Sequence, residues 1–325
     1  MNKILKTELT KILNIDYPII QAPMFLVSNT KMAIEAANSG ITGCIPALNY
    51  RSLNELEASI MEFKAQSNGP IGINLIVNKF NDKKNEQLKV CIKSGVDYII
   101  TSLGNPKSTI QACKPRGIKV FCDVTNLEYA RKVESLGADA IIAVNNKAGG
   151  HLGDLSPEKL IPELVNKCNI PVISAGGVSN GKDMVKMLSL GACGVSIGTP
   201  FIATHEADIS NDYKQAIVDY TAKDIVVTDR ISGSKCTIIN TPYVKKLNLK
   251  PNRFERFLFI NKYLKKYFKA FRWFQGTKMF KKSAKNVTYK TVWCAGPSLD
   301  GVHSIRHVSE VVSDFLNPIM IEGDN

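Results

Sequence analysis

The chain has 325 residues, of which 44% are hydrophobic and 22% charged, a composition typical of a globular protein with a substantial core. No apolar run is long enough for a transmembrane helix, and residues 1–14 alternate charged and single apolar residues, which does not fit a secretory signal. The net charge of +13 is local, because 14 Lys/Arg and one acid, Glu255, lie between Lys245 and Lys285 while the rest of the chain is neutral.

The cysteines are scattered, without a CxxC pair and without histidines at metal-ligand spacing. A disulfide framework or a zinc site would show clustering. We therefore expect reduced, mostly buried thiols in a cytoplasmic protein, and no metal site. The cysteines are Cys44, Cys91, Cys113, Cys122, Cys168, Cys193, Cys236 and Cys294.

Short apolar runs alternate with amphipathic stretches from residue 17 to about residue 200. Early helices are predicted over Thr30–Asn38, Ser52–Gln66 and Lys84–Lys93. Eight runs rich in Val and Ile read as parallel strands that are buried on both faces. These runs are residues 17–21, 41–45, 71–75, 97–101, 118–122, 140–144, 171–175 and 194–197.

Repeated strand–helix units form either a doubly wound sheet or a closed barrel. A Rossmann fold carries its phosphate loop after the first strand as GxGxxG, and this chain has no such motif there. Its glycine-rich loops follow the seventh and eighth strands instead, which is the habit of barrels. The fold is therefore predicted to be α/β, a (β/α)8 TIM barrel.

The pattern changes after residue 205. Residues 206–290 are predicted to form a small, mostly helical and basic subdomain covering the barrel mouth, with a helix over Phe254–Phe274. A closing helix is predicted over Ser304–Phe315. Residues 1–205 and 291–325 would then make up the barrel.

Two glycine loops carry a phosphate-binding pattern. Gly176 and Gly177 follow the seventh strand, and Gly198 and Thr199 follow the eighth. Glycines let the backbone approach an anion, and backbone N–H groups and the Thr199 hydroxyl can donate to it. Two such loops on neighbouring strands predict a phosphate site, although tight turns between strand and helix would share the pattern.

His151 is the candidate catalytic residue. It follows Gly149 and Gly150 after the sixth strand, at the end of the barrel where active sites lie. Histidine can take or hold a proton near neutral pH, whereas the alternative is a side chain that only bonds the loop. His303 and the remaining histidines lack this setting and are predicted to be surface or structural residues.

Ala22, Pro23 and Met24 end the first strand with a small residue, a rigid turn and a polarisable side chain, which could pack a flat ring. A simple strand terminator is as good a reading of this motif. Asn74 ends the third strand, where its amide could bond a ring edge or a phosphate.

Together these motifs resemble the nitronate monooxygenase family and its relatives, the FMN-dependent enoyl-acyl-carrier-protein reductases. The resemblance rests on QAPM, GxN, AGGHxG, AGG and GT in this order, over about residues 8–205, and more loosely on the late AGP loop. It implies that FMN is the cofactor and that His151 faces the substrate above the ring. By the same resemblance FMN would be bound by Ala22, Pro23, Met24, Asn74, Gly149, Gly150, Gly176, Gly177, Gly198 and Thr199.

Three positions depart from the family pattern. Lys147 stands where the family often has Glu, Ser196 where many members have Gln, and Pro297 where the late loop usually has Gln. A positive charge at Lys147 would favour an anionic substrate, or it could point into solvent.

The leading functional hypothesis is oxidation of an alkyl nitronate by O2 to a carbonyl compound and nitrite. An NAD(P)H-dependent reductase acting on enoyl-ACP or quinone is the alternative, with residues 245–285 as a docking face for acidic acyl carrier protein. The same basic segment could instead bind a membrane surface or nucleic acid. A solvated lysine face is the more common explanation of such a pattern.

Overall fold

The computed structural model describes residues 5–229, 234–247, 249, 267–268, 271–272, 275–276, 278–279, 284 and 292–322. The predicted helix over Phe254–Phe274 lies almost entirely outside these ranges, as does most of the basic segment 245–285. None of the helices within the described ranges is long and apolar enough to cross a membrane.

Eight parallel strands close into a barrel, as the sequence predicts. Each barrel strand pairs with the next one along the chain, and the last pairs with the first, Ile20 standing opposite Ser196. The two-residue strand β7, Gly150–His151, lies outside the barrel. The barrel strands are β1 (Ile19–Gln21), β2 (Thr42–Pro46), β3 (Ile71–Ile76), β4 (Tyr98–Ser102), β5 (Lys119–Val124), β6 (Ala140–Val144), β8 (Val172–Ala175) and β9 (Gly194–Ile197).

Helices connect the strands and cover the outside of the barrel. They are α1 (Glu8–Leu13), α2 (Thr30–Asn38), α3 (Leu53–Gln66), α4 (Lys84–Lys93), α5 (Lys107–Cys113), α6 (Leu127–Ser135), α7 (Pro157–Lys167), α8 (Gly181–Ser189), α9 (Thr199–Ile202), α10 (Asn211–Asp219), α11 (Pro242–Lys246) and the C-terminal helix α12 (Val308–Glu322).

The predicted bounds of the closing helix were wrong. Residues 304–307 precede the helix because Arg306 bridges Thr204 in extended conformation, and the His205 N–H donates to the Arg306 carbonyl at 2.9 Å. The helix begins only at Val308. The Glu310 carboxylate accepts the His307 N–H at 2.7 Å, which satisfies one of the free backbone donors at this end.

The barrel interior is filled by large side chains. They leave no room for a side chain at the facing position of the neighbouring strand, as at Gly72 beside Tyr98. Tyr98 is fully buried, its ring stacks on Phe121 with centroids 5.2 Å apart, and its hydroxyl donates to the Gly43 carbonyl at 3.2 Å. Leu9 and Leu13 of α1 join this inner cluster from below the strands. The interior of the barrel is therefore a packed core and not a ligand channel.

A second, three-stranded sheet lies beside the barrel. It is antiparallel and consists of β10 (Ile225–Thr228), β11 (Cys236–Ile239) and β7, in the order β10–β11–β7. The β10–β11 hairpin was not predicted, and it lies in the segment 206–290 that was predicted to be mostly helical.

We expect Gly72→Ala to destabilise the protein, because the added methyl group would overlap the ring of Tyr98. Overpacking of this kind costs about 1–3 kcal/mol. Thermal and urea unfolding of Gly72→Ala, Tyr98→Leu and the double variant measure the effect. The double variant should lose less stability than the two single variants together, since leucine frees the space. Additive losses would contradict the described packing.

Candidate active site

A cavity of about 770 Å³ opens at the carboxyl ends of the barrel strands. This volume is within the usual range for small-molecule and cofactor sites. All eleven site residues predicted from the sequence line this one cavity. They are Ala22, Pro23, Met24, Asn74, Gly149, Gly150, His151, Gly176, Gly177, Gly198 and Thr199.

The loop after β1 is held by a network around Ser28. The Ser28 hydroxyl donates to the Ala22 carbonyl and accepts the Met24 N–H, each at 2.8 Å. Asn49 donates to the Ser28 carbonyl and accepts the N–H of Leu26, whose φ is 64°. The network therefore fixes the backbone that presents Ala22 and Met24 to the cavity.

The loops after β6 and β8 are joined by the buried Asn145. Its amide donates to the Gly176 carbonyl at 2.9 Å and accepts the Lys147 N–H at 2.8 Å. Gly176 has φ 109° and a side chain there would overlap Ala148, so only glycine fits. The loop after β6 and the loop after β8 therefore form one continuous wall of the cavity.

The late loop closes the same wall from a distant part of the chain. Gly296 and Gly149 approach so closely that a side chain on either would reach within 2.9 Å of the other's backbone nitrogen. The Gly296 N–H donates to the Thr199 hydroxyl oxygen at 2.9 Å. Because that oxygen already accepts a hydrogen bond, the hydroxyl proton of Thr199 can be donated to a ligand.

His151 is positioned by β11. The two residues of β7 pair with Cys236 and Thr237, and the Thr237 hydroxyl donates to the Ala148 carbonyl at 2.9 Å. The His151 side chain is exposed, and the surface that it presents lies in the cavity. Desolvation lowers the pKa of His151, so the neutral ring, able to accept a proton, predominates at neutral pH.

The other three histidines are exposed and do not line the cavity. His205 and His307 have ring centroids 4.6 Å apart, and His307 bonds Glu206 at 2.9 Å. All three therefore lie at the surface, one of the two settings that the sequence predicts for them.

Sequence reasoning missed two polar residues of the cavity. Ser102 is the last residue of β4 and Asp123 the last but one of β5, and the Ser102 hydroxyl donates to Asp123 Oδ2 at 2.5 Å. Burial raises the pKa of Asp123 to about 6, against the opposing effect of the bond from Ser102. The available signal was a lone Asp inside a run of apolar strand residues.

The positions that depart from the family pattern lie close to the cavity wall. Ser196 lines the cavity on β9. Lys147 is exposed, and its aliphatic carbons pack against Gly177, where a Cβ would lie 2.9 Å from them. Its charge contributes to the lowered pKa of Glu158, whose main cause is the bond from Lys186 at 2.7 Å. Pro297 begins a short 3-10 helix over Pro297–Gly301.

Comparison with known proteins agrees with this geometry. The sequence model of the nitronate monooxygenase family matches residues 6–317. A Staphylococcus saprophyticus protein named "Probable nitronate monooxygenase" is 31% identical, over 75% of this chain and 81% of its own length. A Mycobacterium tuberculosis protein named (3aS,4S,5R,7aS)-5-hydroxy-7a-methyl-1-oxo-octahydro-1H-indene-4-carboxyl-CoA dehydrogenase is 30% identical, over 75% of this chain and 68% of its own. The solved structure of FabK from Thermotoga maritima superposes with a TM-score of 0.84 at 27% identity, covering 98% of this chain and 97% of that one.

The closed barrel and the cavity at its carboxyl rim thus define an α/β-barrel enzyme. The chain belongs to the nitronate monooxygenase family and is an oxidoreductase.

We expect His151 to titrate below the usual histidine pKa and His307 above it, because His151 is desolvated whereas Glu206 bonds His307. Nuclear magnetic resonance titration of the ring protons, assigned with His151→Gln, measures both values. Glu206→Gln should lower the pKa of His307 alone. A normal or raised pKa for His151 would contradict its position in the cavity.

Proposed function

We propose that the protein is an FMN-dependent nitronate monooxygenase that oxidises alkyl nitronates with O2 to carbonyl compounds and nitrite. The main support is that His151 and the two glycine loops, predicted separately, surround a single cavity. The membership of the family adds to it.

The residues present fit FMN. The cavity offers an apolar surface at Ala22 and Met24 for a flat ring, and Gly198 leaves space beside them, its nearest neighbour being Met24 at 3.4 Å from a Cβ position. The backbone of Gly176 and Gly177 and the hydroxyl of Thr199 would hold the phosphate. When bound, the flavin supplies the electron-transfer chemistry of the reaction.

The protein's own groups would bind, orient and protect the substrate. His151, neutral at physiological pH, would accept a proton from a neutral nitroalkane or bond the nitro group of the nitronate. Pairing of β7 with β11 fixes the backbone that carries this side chain at the cavity.

We also propose that residues 206–290 form a subdomain that covers the barrel mouth, apart from the barrel of residues 1–205 and 291–325. Support comes from Ser234, Lys235 and Ala284, which line the cavity although they are distant from the barrel strands in sequence. Lys235 pairs with Asp154 at 2.5 Å, which ties this segment to the loop after β7.

An NAD(P)H-dependent FMN reductase of thioester substrates is the second candidate. The observation in its favour is the similarity to a relative named as a carboxyl-CoA dehydrogenase, at 30% identity against 31% for the relative named as a nitronate monooxygenase. The basic segment 245–285 would give an acidic acyl carrier protein a complementary face.

We expect rapid oxygen uptake and nitrite release with propyl nitronate in the absence of nicotinamide. His151→Ala should slow turnover of neutral nitroalkanes by about 100-fold or more, the usual contribution of a general base, while FMN stays bound. His303→Ala, which alters an exposed histidine outside the cavity, is the matched control and should be unaffected.

Loss of FMN from His151→Ala would show that this histidine has a structural role and not a catalytic one. A flavin-loaded protein that consumes no oxygen with nitronates, but oxidises NAD(P)H with an enoyl thioester or quinone, would replace the first candidate with the second.

A further inference from the structure

Apart from Ser196 on β9, the polar side chains of the cavity floor are concentrated on one side. Side chains that point inward at the carboxyl ends of most strands are apolar, such as Pro46 on β2 and Ala175 on β8. Three adjacent strands, β3 to β5, instead contribute Asn74, Ser102 and Asp123. These three residues, named here the polar triad, lie across the barrel from the glycine loop after β8.

The hydrogen bonds of the polar triad run in one direction. The Asn74 amide donates to the Ile100 carbonyl at 3.1 Å and to the Ser102 hydroxyl at 2.7 Å. A backbone carbonyl can only accept, so this contact fixes which end of the Asn74 side chain is the NH2 group. The Ser102 hydroxyl in turn donates a hydrogen bond to Asp123 Oδ2. The groups left for a ligand are therefore Asn74 Oδ1, an acceptor, and Asp123 Oδ1.

Asp123 lies in surroundings that disfavour its charge. Within the described part of the chain, no lysine, arginine or histidine makes an ion pair or hydrogen bond with it, and burial raises its pKa to about 6. A proton on this carboxyl would sit on Oδ1, because Oδ2 already accepts from Ser102. Cys44 on β2 and Cys122 on β5 interact with it electrostatically, and the titratable or charged residues that line the same cavity include Tyr129 and Lys132 on α6 and His151 on β7.

Given the proposed FMN cofactor, the pattern of the polar triad matches one part of the flavin. The pyrimidine edge of the ring presents an N–H donor between two carbonyl acceptors. We propose that the neutral carboxylic acid of Asp123 donates a hydrogen bond from Oδ1 to a carbonyl oxygen of this edge, beside Asn74 Oδ1, which accepts the ring N–H. An ionised Asp123 would face the same carbonyl with a negative charge and no proton to donate.

This assignment makes flavin binding dependent on pH. Asp123 of the flavin-free protein ionises as the pH rises through about 6, so binding above that pH must take up one proton from solvent. Affinity then falls with rising pH, by about tenfold for each pH unit, until the pKa of the bound state is passed. Asp123→Asn offers a donor that does not titrate and should abolish this dependence.

The test is FMN release from the purified holoenzyme, followed by flavin fluorescence on serial dilution across this pH range. Titration of the FMN phosphate and of His151 changes the dissociation constants of the wild type and of Asp123→Asn by the same factor. These effects therefore cancel in the ratio of the two constants. We expect the ratio to rise about tenfold per pH unit above about pH 6. Asp123→Leu, without a donor, should bind FMN weakly at every pH, and Asp82→Asn, an exposed control, should follow the wild type.

Infrared difference spectra of the holoenzyme provide a second readout that does not depend on affinity. The carbonyl band of a protonated carboxylic acid should be present at neutral pH in the wild type and absent in Asp123→Asn. Suppose that the wild type binds FMN, that the ratio of the dissociation constants is independent of pH and that this band is missing. The role of Asp123 would then be overturned, whereas the proposed function would stand. A protein that binds no FMN at any pH would overturn the proposed function, and this inference with it.

Discussion

The packing of Tyr98 against Phe121 inside the barrel is the constraint on which the site depends. These rings fill the interior up to the last inward-facing layer, so the layer above them becomes the floor of a cavity instead of more core. Parallel strands bring all eight carboxyl ends to the same rim, where side chains from distant parts of the sequence meet. A barrel with a loosely filled interior would offer no defined floor on which to orient a flat ligand.

The wall of the cavity has a similar requirement for close approach. Gly149 and Gly296, separated by almost half the chain, are in contact through their backbones, and the same loop bonds Thr199. The glycines here allow loops from three parts of the chain to pack, in addition to giving a ligand access to backbone N–H groups. This explains how the loop that carries His151 and the loop of Thr199 can be held together without a large side chain between them.

Much of this arrangement could be predicted from the sequence, and the exceptions have physical reasons. Short continuous runs rich in Val and Ile are typical of buried parallel strands, and β6 and β9 were predicted to the residue. The start of α12 was misplaced because Arg306 is held extended by Thr204, a long-range contact that no local pattern reveals. The β10–β11 hairpin was missed although its two β-branched runs, Ile225–Thr228 and Cys236–Ile239, are a readable signal. The lone Asp123 in an apolar run was a readable signal, but its role could not be assigned, because that role depends on the hydrogen bond from Ser102 on the adjacent strand β4.

The proposed function requires that the cavity at the carboxyl rim binds a flavin mononucleotide. The most direct measurement is the visible absorption spectrum of the purified protein, together with the mass of the small molecule released when it is denatured. We expect a flavin spectrum and the mass of FMN, with about one molecule per chain. A colourless protein that takes up no FMN on addition, or one that releases a different cofactor, would contradict it.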